Sequence, residues 1–138
     1  MTGAVAVVGA GRVGLTLARA LVLSGTPVRL LVRRARRLSL PGLPEPETDW
    51  QAALAASELV IVAVPDDAIP GVALRLAKSG QIQPRQVVLH ISGLRGSEAL
   101  VPLSASGAAL GSLHPLQTFA DAGGEPLAHR SAGMDVGW

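Results

Sequence analysis

Three glycines near the start of the chain have a spacing that can bind phosphate groups. The motif, which we call the glycine loop, is Gly9-Ala10-Gly11-Arg12-Val13-Gly14. In a G-x-G-x-x-G motif the first glycine permits a tight turn, the second lets the backbone approach a pyrophosphate, and the third lets the following helix pack closely on the strand. The free N–H groups of that helix attract the anion. The alternative, a glycine turn without a ligand, carries a high entropic cost.

Arginines follow the second hydrophobic segment of the chain, at the place where such proteins select their nucleotide. These residues are Arg33, Arg34, Arg36 and Arg37. A site for NAD usually has Asp or Glu about 20 residues after the glycines to bind the ribose 2′-hydroxyl, but here no carboxylate occurs before Glu45. Arginine can instead bind a 2′-phosphate through two N–H groups and stack on adenine. The pattern therefore predicts NADP rather than NAD, bound by Arg33 and Arg34, with a solvated basic loop or a nucleic-acid patch as alternatives.

A second group of candidate residues follows the later hydrophobic runs. Val64 and Pro65 end the third run and are predicted to line the nicotinamide ribose, whereas Asp66 and Asp67 next to them could simply cap a helix. In parallel sheets, ligands bind outside the carboxyl ends of the strands. We therefore expect these four residues at the same edge of the sheet as the glycine loop.

Two histidines are candidates for proton transfer. His90 and Ser92 follow the fourth run and share one side of it by alternation, while His114 follows the fifth run beside a proline, an amide and two hydroxyls. Histidine is suited to proton transfer near neutral pH, so His114, His90 and Ser92 are the catalytic candidates. A buried, hydrogen-bonded strand histidine is the alternative for His90. Neither histidine has a metal-binding spacing, so no metal is expected.

The elements that must position these residues alternate between strands and helices. The predicted strands are Ala4–Val8, Val28–Val32, Leu59–Val64, Val87–Ile91 and Ala108–Ser112. The predicted helices are Gly11–Ser24, Trp50–Ala56, a helix from Asp66 or Asp67 to about Lys78, and weakly Ser97–Leu103. This alternation predicts an α/β fold with a doubly wound, mostly parallel Rossmann sheet.

Composition excludes several classes of protein. The 138 residues suit one domain, and they contain no cysteine, so disulfides and thiolate metal sites are impossible. No uncharged apolar run approaches the ~18 residues of a membrane helix. Net charge is +2 and aromatic content is 2%, which does not indicate binding to nucleic acid. We expect a cytoplasmic protein that binds neither membranes nor nucleic acid.

Four motifs together resemble one family. GAGRVG, VPDDAI, HISG and above all GSLHPLQTF are similar to segments of Rossmann-like proteins with an appended helical domain of unknown function. These proteins are relatives of the 6-phosphogluconate dehydrogenase superfamily, which includes pyrroline-5-carboxylate reductases, prephenate dehydrogenases and deazaflavin-dependent NADP reductases. The resemblance covers residues 3–120. It implies an NAD(P)-linked oxidoreductase in which His90, Ser92, His114 and Gln117 line the substrate side.

The resemblance also suggests how the chain is organised. Residues 1–120 are predicted to form the dinucleotide-binding domain and residues 121–138 a poorly defined tail or truncated connector, with the second helical domain absent. The expected function is NADP(H) binding and hydride transfer to or from a small carbonyl, imine or hydroxy substrate, with a homodimer as the candidate assembly. A sensor or interaction module that binds the dinucleotide without turnover is the alternative.

Overall fold

Runs of β-branched and aliphatic residues form a sheet that can be buried on both faces. The computed structural model describes residues 3–37, 40–93 and 95–113. Within them the strands are Ala4–Val8 (β1), Val28–Leu31 (β2), Ser57–Val62 (β3), Val87–His90 (β4) and Ala109–Ser112 (β5). All neighbouring strands pair in parallel, in the order β2-β1-β3-β4-β5. The predicted doubly wound parallel sheet is confirmed.

Helical segments connect the strands and cover the sheet. The α-helices are Arg12–Leu23 (α1), Gln51–Ala55 (α2) and Ile69–Ser79 (α3), and 3₁₀ turns span Asp66–Ala68 and Ser97–Ser106. Two helices end at glycines. Gly25, after α1, has φ of 85°, and Gly80, after α3, has φ of 72°. Both lie in the left-handed region, which glycine adopts without the strain of a side chain.

Alternation along β1 divides the core into two layers. Val5 and Val7 belong to the layer that includes Leu17 of α1, whereas Ala6 and Val8 belong to the opposite layer. The opposite layer is completed by α2, α3 and the second 3₁₀ segment through Ala53, Leu54, Val72, Leu76, Leu100 and Leu103. Helices therefore cover both faces, which is the usual condition for a parallel sheet.

The outer edge of β2 is covered by a single residue of the proline-containing loop. Glu47 forms a parallel bridge with Leu31, donating its N–H to Leu30 O at 2.8 Å and accepting Val32 N–H at 2.9 Å. The Glu47 carboxylate also accepts two hydrogen bonds from Arg29, at 2.6 and 2.7 Å, which raises the pKa of that guanidinium. The loop thus satisfies backbone groups that an edge strand otherwise exposes.

The third strand differs from its predicted bounds. It was expected at Leu59–Val64 but begins two residues earlier, at Ser57, which pairs with Ala4. A polar side chain can be buried there because Ser57 Oγ donates a hydrogen bond to Ala53 O at 2.7 Å. The strand ends at Val62, so Val64 belongs to the loop that follows it.

Two helical predictions also need correction. Neither Asp66 nor Asp67 caps α3, because both lie in the preceding 3₁₀ turn and the cap position, Ala68, has no side-chain hydrogen bond. The last helical segment is a 3₁₀ segment that extends to Ser106. Pro102 lies inside it, and proline disfavours an α-helix because it lacks the N–H and its ring contacts the preceding turn. Among the described residues, no helix has the length and apolar character needed to cross a membrane.

Truncation of a core leucine tests the packing of α3 on the sheet. Leu76 is fully buried, whereas Leu74, two residues away on the same helix, is 51% exposed. Leu76→Ala is expected to reduce the free energy of unfolding by about 2–5 kcal/mol because it leaves a cavity. Leu74→Ala is the matched control and should change it by less than ~0.5 kcal/mol. Urea denaturation measures both, and equal losses would contradict the assigned packing.

Candidate dinucleotide site

The strand order creates a crevice at the carboxyl edge of the sheet. β1 leads through α1 to β2, whereas its other neighbour, β3, leads through α3 to β4. The two helices pack on opposite faces of the sheet. The loops after β1 and β3 therefore separate, and this topological switch point is where open α/β sheets bind ligands.

The glycine loop passes so close to neighbouring backbone that side chains are excluded. Gly9 has φ of 115°, and a Cβ at this residue would overlap the carbonyl oxygen of Ala63. A Cβ at Gly14 would overlap the carbonyl oxygen of Gly9. Gly9 N–H donates to Leu31 O at 2.8 Å, which fixes the turn against β2. The first and third glycines thus have the close contacts that their positions in the motif predict.

The N-terminus of α1 has the properties of an anion-binding end. Gly11 is its N-cap and supplies no side chain, and no acidic residue lies in the first turn. The first intrahelical bond runs from Leu15 N–H to Gly11 O at 2.9 Å, so the N–H groups of Arg12, Val13 and Gly14 precede it. These N–H groups and the helix dipole favour a negatively charged group.

The arginines after β2 are exposed and close to the crevice. Arg33 and Arg34 directly follow the buried Val32, at the carboxyl end of β2. Arg33 also lines a cavity of about 250 Å³, together with Trp50, Asp67, Ala68, Gly71, Val72 and Arg75. The cavity lies between the loop after β2 and the start of α3. Glu47, a carboxylate of the following loop, is bound to Arg29.

One wall of this cavity is a stacked pair of side chains. The Arg75 guanidinium lies over the Trp50 ring, with Cζ 3.6 Å from the ring centroid. Trp50 Nε1–H donates to Val32 O at 3.0 Å, and Arg75 Nη2 donates to Thr48 O at 2.8 Å. Burial lowers the pKa of Arg75, and the nearby Asp49 carboxylate partly opposes this shift.

The loop after β3 adjoins the glycine loop as predicted. Val64 is buried, and its Cγ1 lies about 3.0 Å from the position that a Cβ of Gly9 would take. Pro65 is partly exposed, and its carbonyl accepts Ala68 N–H at 2.8 Å. Val64 therefore lies beside the glycine loop, and Pro65 follows it in the same loop.

His90 is fully buried at the end of β4, and backbone groups occupy both of its ring nitrogens. Nδ1 accepts the Ser92 N–H at 3.1 Å, so Nε2 carries the proton and donates to Gly96 O at 2.7 Å. A histidine held in this tautomer is suited to position a loop, which favours the structural alternative over direct proton transfer.

The loop after β4 is ordered by further hydrogen bonds around this histidine. Ser92 is buried, and its Oγ accepts Arg95 N–H at 3.1 Å. Glu98 Oε1 accepts Gly96 N–H at 2.9 Å. The backbone N–H groups of Gly96 and of Glu98 itself lower the pKa of the Glu98 carboxyl. His90 and Glu98 thus hold the same peptide segment from two sides.

The structure brings together only some of the predicted site. Val64 lies against the glycine loop, and Arg33 lines a cavity with residues of α3. Leu113 N–H donates to His90 O at 2.7 Å, so β5 ends beside β4. His114 and Gln117 lie outside the described residues. In the described part of the chain, no group of three or more potential metal ligands occurs.

Sequence reasoning missed the cavity wall. Trp50 was assigned only to the start of a short helix, and Arg75 was not considered. The available signal was one of the two tryptophans of the chain, placed after a proline-rich loop in a sequence with 2% aromatic residues. Its partner is 25 residues away on another element, and no local pattern indicates that contact.

The parallel sheet, the switch point and the glycine loop define a Rossmann-like domain of the kind found in dehydrogenases and reductases. The chain belongs to the Rossmann-like domain family, whose model matches residues 2–115. The predicted resemblance to Rossmann-like proteins is thereby confirmed. No curated protein sequence matches the chain.

Several solved structures share this fold. An imine reductase from Myxococcus stipitatus, in complex with NAD⁺, is 20% identical, with a TM-score of 0.63 over 79% of this chain and 39% of its own. Glycerol-3-phosphate dehydrogenase from Coxiella burnetii is also 20% identical, with a TM-score of 0.61 over 78% and 39%. An NADPH-dependent glyoxylate/hydroxypyruvate reductase from Sinorhizobium meliloti is 23% identical, with a TM-score of 0.56 over 80% and 34%. The chain thus spans less than half the length of each of these proteins.

Alanine substitutions test the close approach at the glycine loop. Gly9→Ala and Gly14→Ala place a methyl group against backbone oxygens, which cannot move aside as a side chain can. Each substitution is expected to lower the free energy of unfolding by more than ~2 kcal/mol. Gly71→Ala is the control, because a Cβ there meets no atom within 4 Å and helix propensity should stabilise by up to ~1 kcal/mol. A free energy of unfolding that Gly9→Ala leaves unchanged would refute the described turn.

Two substitutions of His90 test its positioning role. His90→Leu leaves the Ser92 N–H and the Gly96 carbonyl without their partner, and an unmet buried group costs about 1–3 kcal/mol. His90→Asn keeps an acceptor for Ser92 N–H and should recover part of this loss. Urea denaturation gives the stabilities, and amide hydrogen exchange at Ser92 reports the loop directly. Equal exchange rates in both variants would contradict this role.

Proposed function

We propose that this chain is the NADP(H)-binding domain of an oxidoreductase that transfers hydride to or from a small carbonyl, imine or hydroxy substrate. The observation that carries the proposal is the glycine loop at the switch point. Gly9 and Gly14 leave no room for side chains, and the loop opens directly onto the uncapped end of α1. This arrangement matches the requirements of a pyrophosphate that must approach the backbone closely.

The preference for NADP is proposed from the charges after β2. Arg33 and Arg34 are exposed at the carboxyl end of that strand, where the adenosine ribose of a dinucleotide on the glycine loop would lie. Glu47 is paired with Arg29 through both carboxylate oxygens, so it does not serve the ribose hydroxyl. A guanidinium binds a phosphate through two parallel N–H groups, which supports recognition of the 2′-phosphate by these arginines.

The nicotinamide end is assigned to the loop after β3. Val64 lies against Gly9 in the loop after β3, which pairs with β1 on the side away from β2, and Pro65 follows it. Both residues are proposed to line the nicotinamide ribose. The nicotinamide, when bound, supplies hydride to the substrate carbon or accepts hydride from it. The apolar Val64 side chain and the rigid Pro65 ring limit access of water to that position.

The substrate side is proposed to include His114 and Gln117, as the family resemblance implies. Reduction of a carbonyl or imine also takes up a proton, and His114 is the proposed donor. His90 and Ser92 hold the adjacent loop after β4, since their hydrogen bonds fix Ser92, Arg95 and Gly96. A cytoplasmic location and a homodimer stay predictions of the sequence.

Removal of the two arginines tests the nucleotide preference. Binding of NADPH and NADH to the purified chain is measured by calorimetry at one fixed salt concentration. The parent should bind NADPH more tightly, and Arg33→Ala/Arg34→Ala should weaken NADPH at least ~10-fold, since a hydrogen bond to a charged group contributes about 1.5–3 kcal/mol. Binding of NADH should change by less than ~3-fold.

A matched control separates a contact from a general loss of charge. Arg19→Ala/Lys78→Ala removes two exposed cations from α1 and α3 that do not line the cavity with Arg33. It should leave both nucleotides unaffected. Equal weakening of NADPH and NADH by Arg33→Ala/Arg34→Ala would refute the 2′-phosphate assignment. Failure of the parent to bind either nucleotide would refute the proposed function, whereas binding without turnover of any carbonyl or imine substrate would favour a sensor.

A further inference from the structure

The stack of Arg75 on Trp50 is well defined, but the roles proposed for the glycine loop and for the arginines after β2 assign it no function. We propose that Arg75 stacks on the adenine base of the bound dinucleotide, so that base, guanidinium and indole form one continuous stack. This inference rests on the proposed dinucleotide binding and adds the residue that recognises the base. It predicts a contact that NADPH and NADH share, unlike the contact assigned to Arg33 and Arg34.

Hydrogen bonds within the chain hold the stack in place. Trp50 is fixed by the hydrogen bond from Nε1–H to Val32 O, the residue just before Arg33. Arg75 is fixed by the hydrogen bond to Thr48 O and by its 3.6 Å approach to the indole. A side chain that is already ordered loses little conformational entropy when it contacts a ligand.

One face of the guanidinium remains available. Trp50 is only 3% exposed although Arg75, which lies over it, is an exposed residue. The guanidinium therefore covers the indole with one face and directs the other outward. A planar guanidinium can stack on aromatic rings with either face, and only one of its five N–H groups is used by Thr48.

The cavity beside the stack suits a flat heteroaromatic base. Ala68, Gly71 and Val72 give it a small, apolar lining, while Arg33 and Arg75 are cationic and Asp67 can accept a hydrogen bond from an exocyclic amine. Its volume of about 250 Å³ is below the ~300–1,000 Å³ of pockets for drug-sized ligands, which is appropriate for a single base. Arg33 connects this cavity to the site proposed for the 2′-phosphate.

Substitution by lysine separates stacking from charge. Arg75→Lys keeps the positive charge but loses the planar group that stacks. The variant is expected to weaken the binding of NADPH, NADH and ADP-ribose by the same factor, about 5- to 30-fold. This factor corresponds to the ~1–2 kcal/mol of a well-formed cation–π stack. ADP-ribose is included because it has the adenosine end and lacks the nicotinamide. Calorimetry gives the affinities, and urea denaturation confirms that the variant is folded.

Lys78→Gln is the matched control because it removes a cation one turn further along α3, outside this cavity. It should leave all three affinities unchanged. The inference is overturned if Arg75→Lys binds as the parent does, if it weakens NADPH alone, or if Lys78→Gln weakens binding equally. Weaker binding of NADPH alone would identify Arg75 as a contact of the 2′-phosphate. An equal loss of affinity in Lys78→Gln would show that the ligands respond to the overall positive charge of α3.

Tryptophan fluorescence separates a stack that contacts the ligand from one that only stabilises the fold, because only the first should change its emission when ligand binds. The chain has two tryptophans, so Trp138→Phe leaves Trp50 as the only one. Saturating ADP-ribose should alter Trp50 emission in this background, and the change should be lost when Arg75→Lys is added. Unaltered emission on saturation overturns the stack. If the parent binds no dinucleotide, the proposed function fails as well, whereas a parent that binds normally with unaltered emission refutes the stacking alone.

Discussion

The close crossing of Gly9 and Ala63 is the constraint on which the site depends. Ala63 N–H continues the pairing of β3 with Val8, at 2.8 Å, and its carbonyl then lies where a side chain of Gly9 would have to be. The two central strands can therefore end side by side and still send their chains to opposite faces. Gly14 repeats the constraint one turn later, because its missing side chain lets α1 begin directly above the turn.

The two faces of the sheet contribute differently to the crevice. The α1 face supplies the uncapped helix end, which is an electrostatic feature of the backbone. The α3 face supplies side chains, and Trp50 ties them to β2 through its bond to Val32 O. The backbone half depends on the glycines of a general motif, whereas the side-chain half depends on Trp50 and Arg75, which that motif does not specify. Discrimination between ligands is therefore expected from the second half.

The sequence predicted the sheet and the glycine loop because both depend on local patterns. Five short aliphatic runs were sufficient to place the strands within two residues. Local patterns failed where individual hydrogen bonds or contacts between elements decide. Ser57 joins β3 because Ala53, four residues earlier, accepts its hydroxyl. Both ring nitrogens of His90 bond to the backbone of the loop that follows it, and the alternation of the strand does not indicate these bonds. The Trp50–Arg75 stack joins two separate elements, so no local pattern indicates it.

Glu47 has a consequence for how the loop between β2 and α2 can vary. Its backbone bonds to Leu30 and Val32 and its carboxylate bond to Arg29 close that loop at both ends, independently of what lies between them. The entropic cost of closing a loop rises only slowly with its length. The segment between these bonds, which carries the arginines, can thus change in length or sequence while the backbone hydrogen bonds at the edge of β2 are kept.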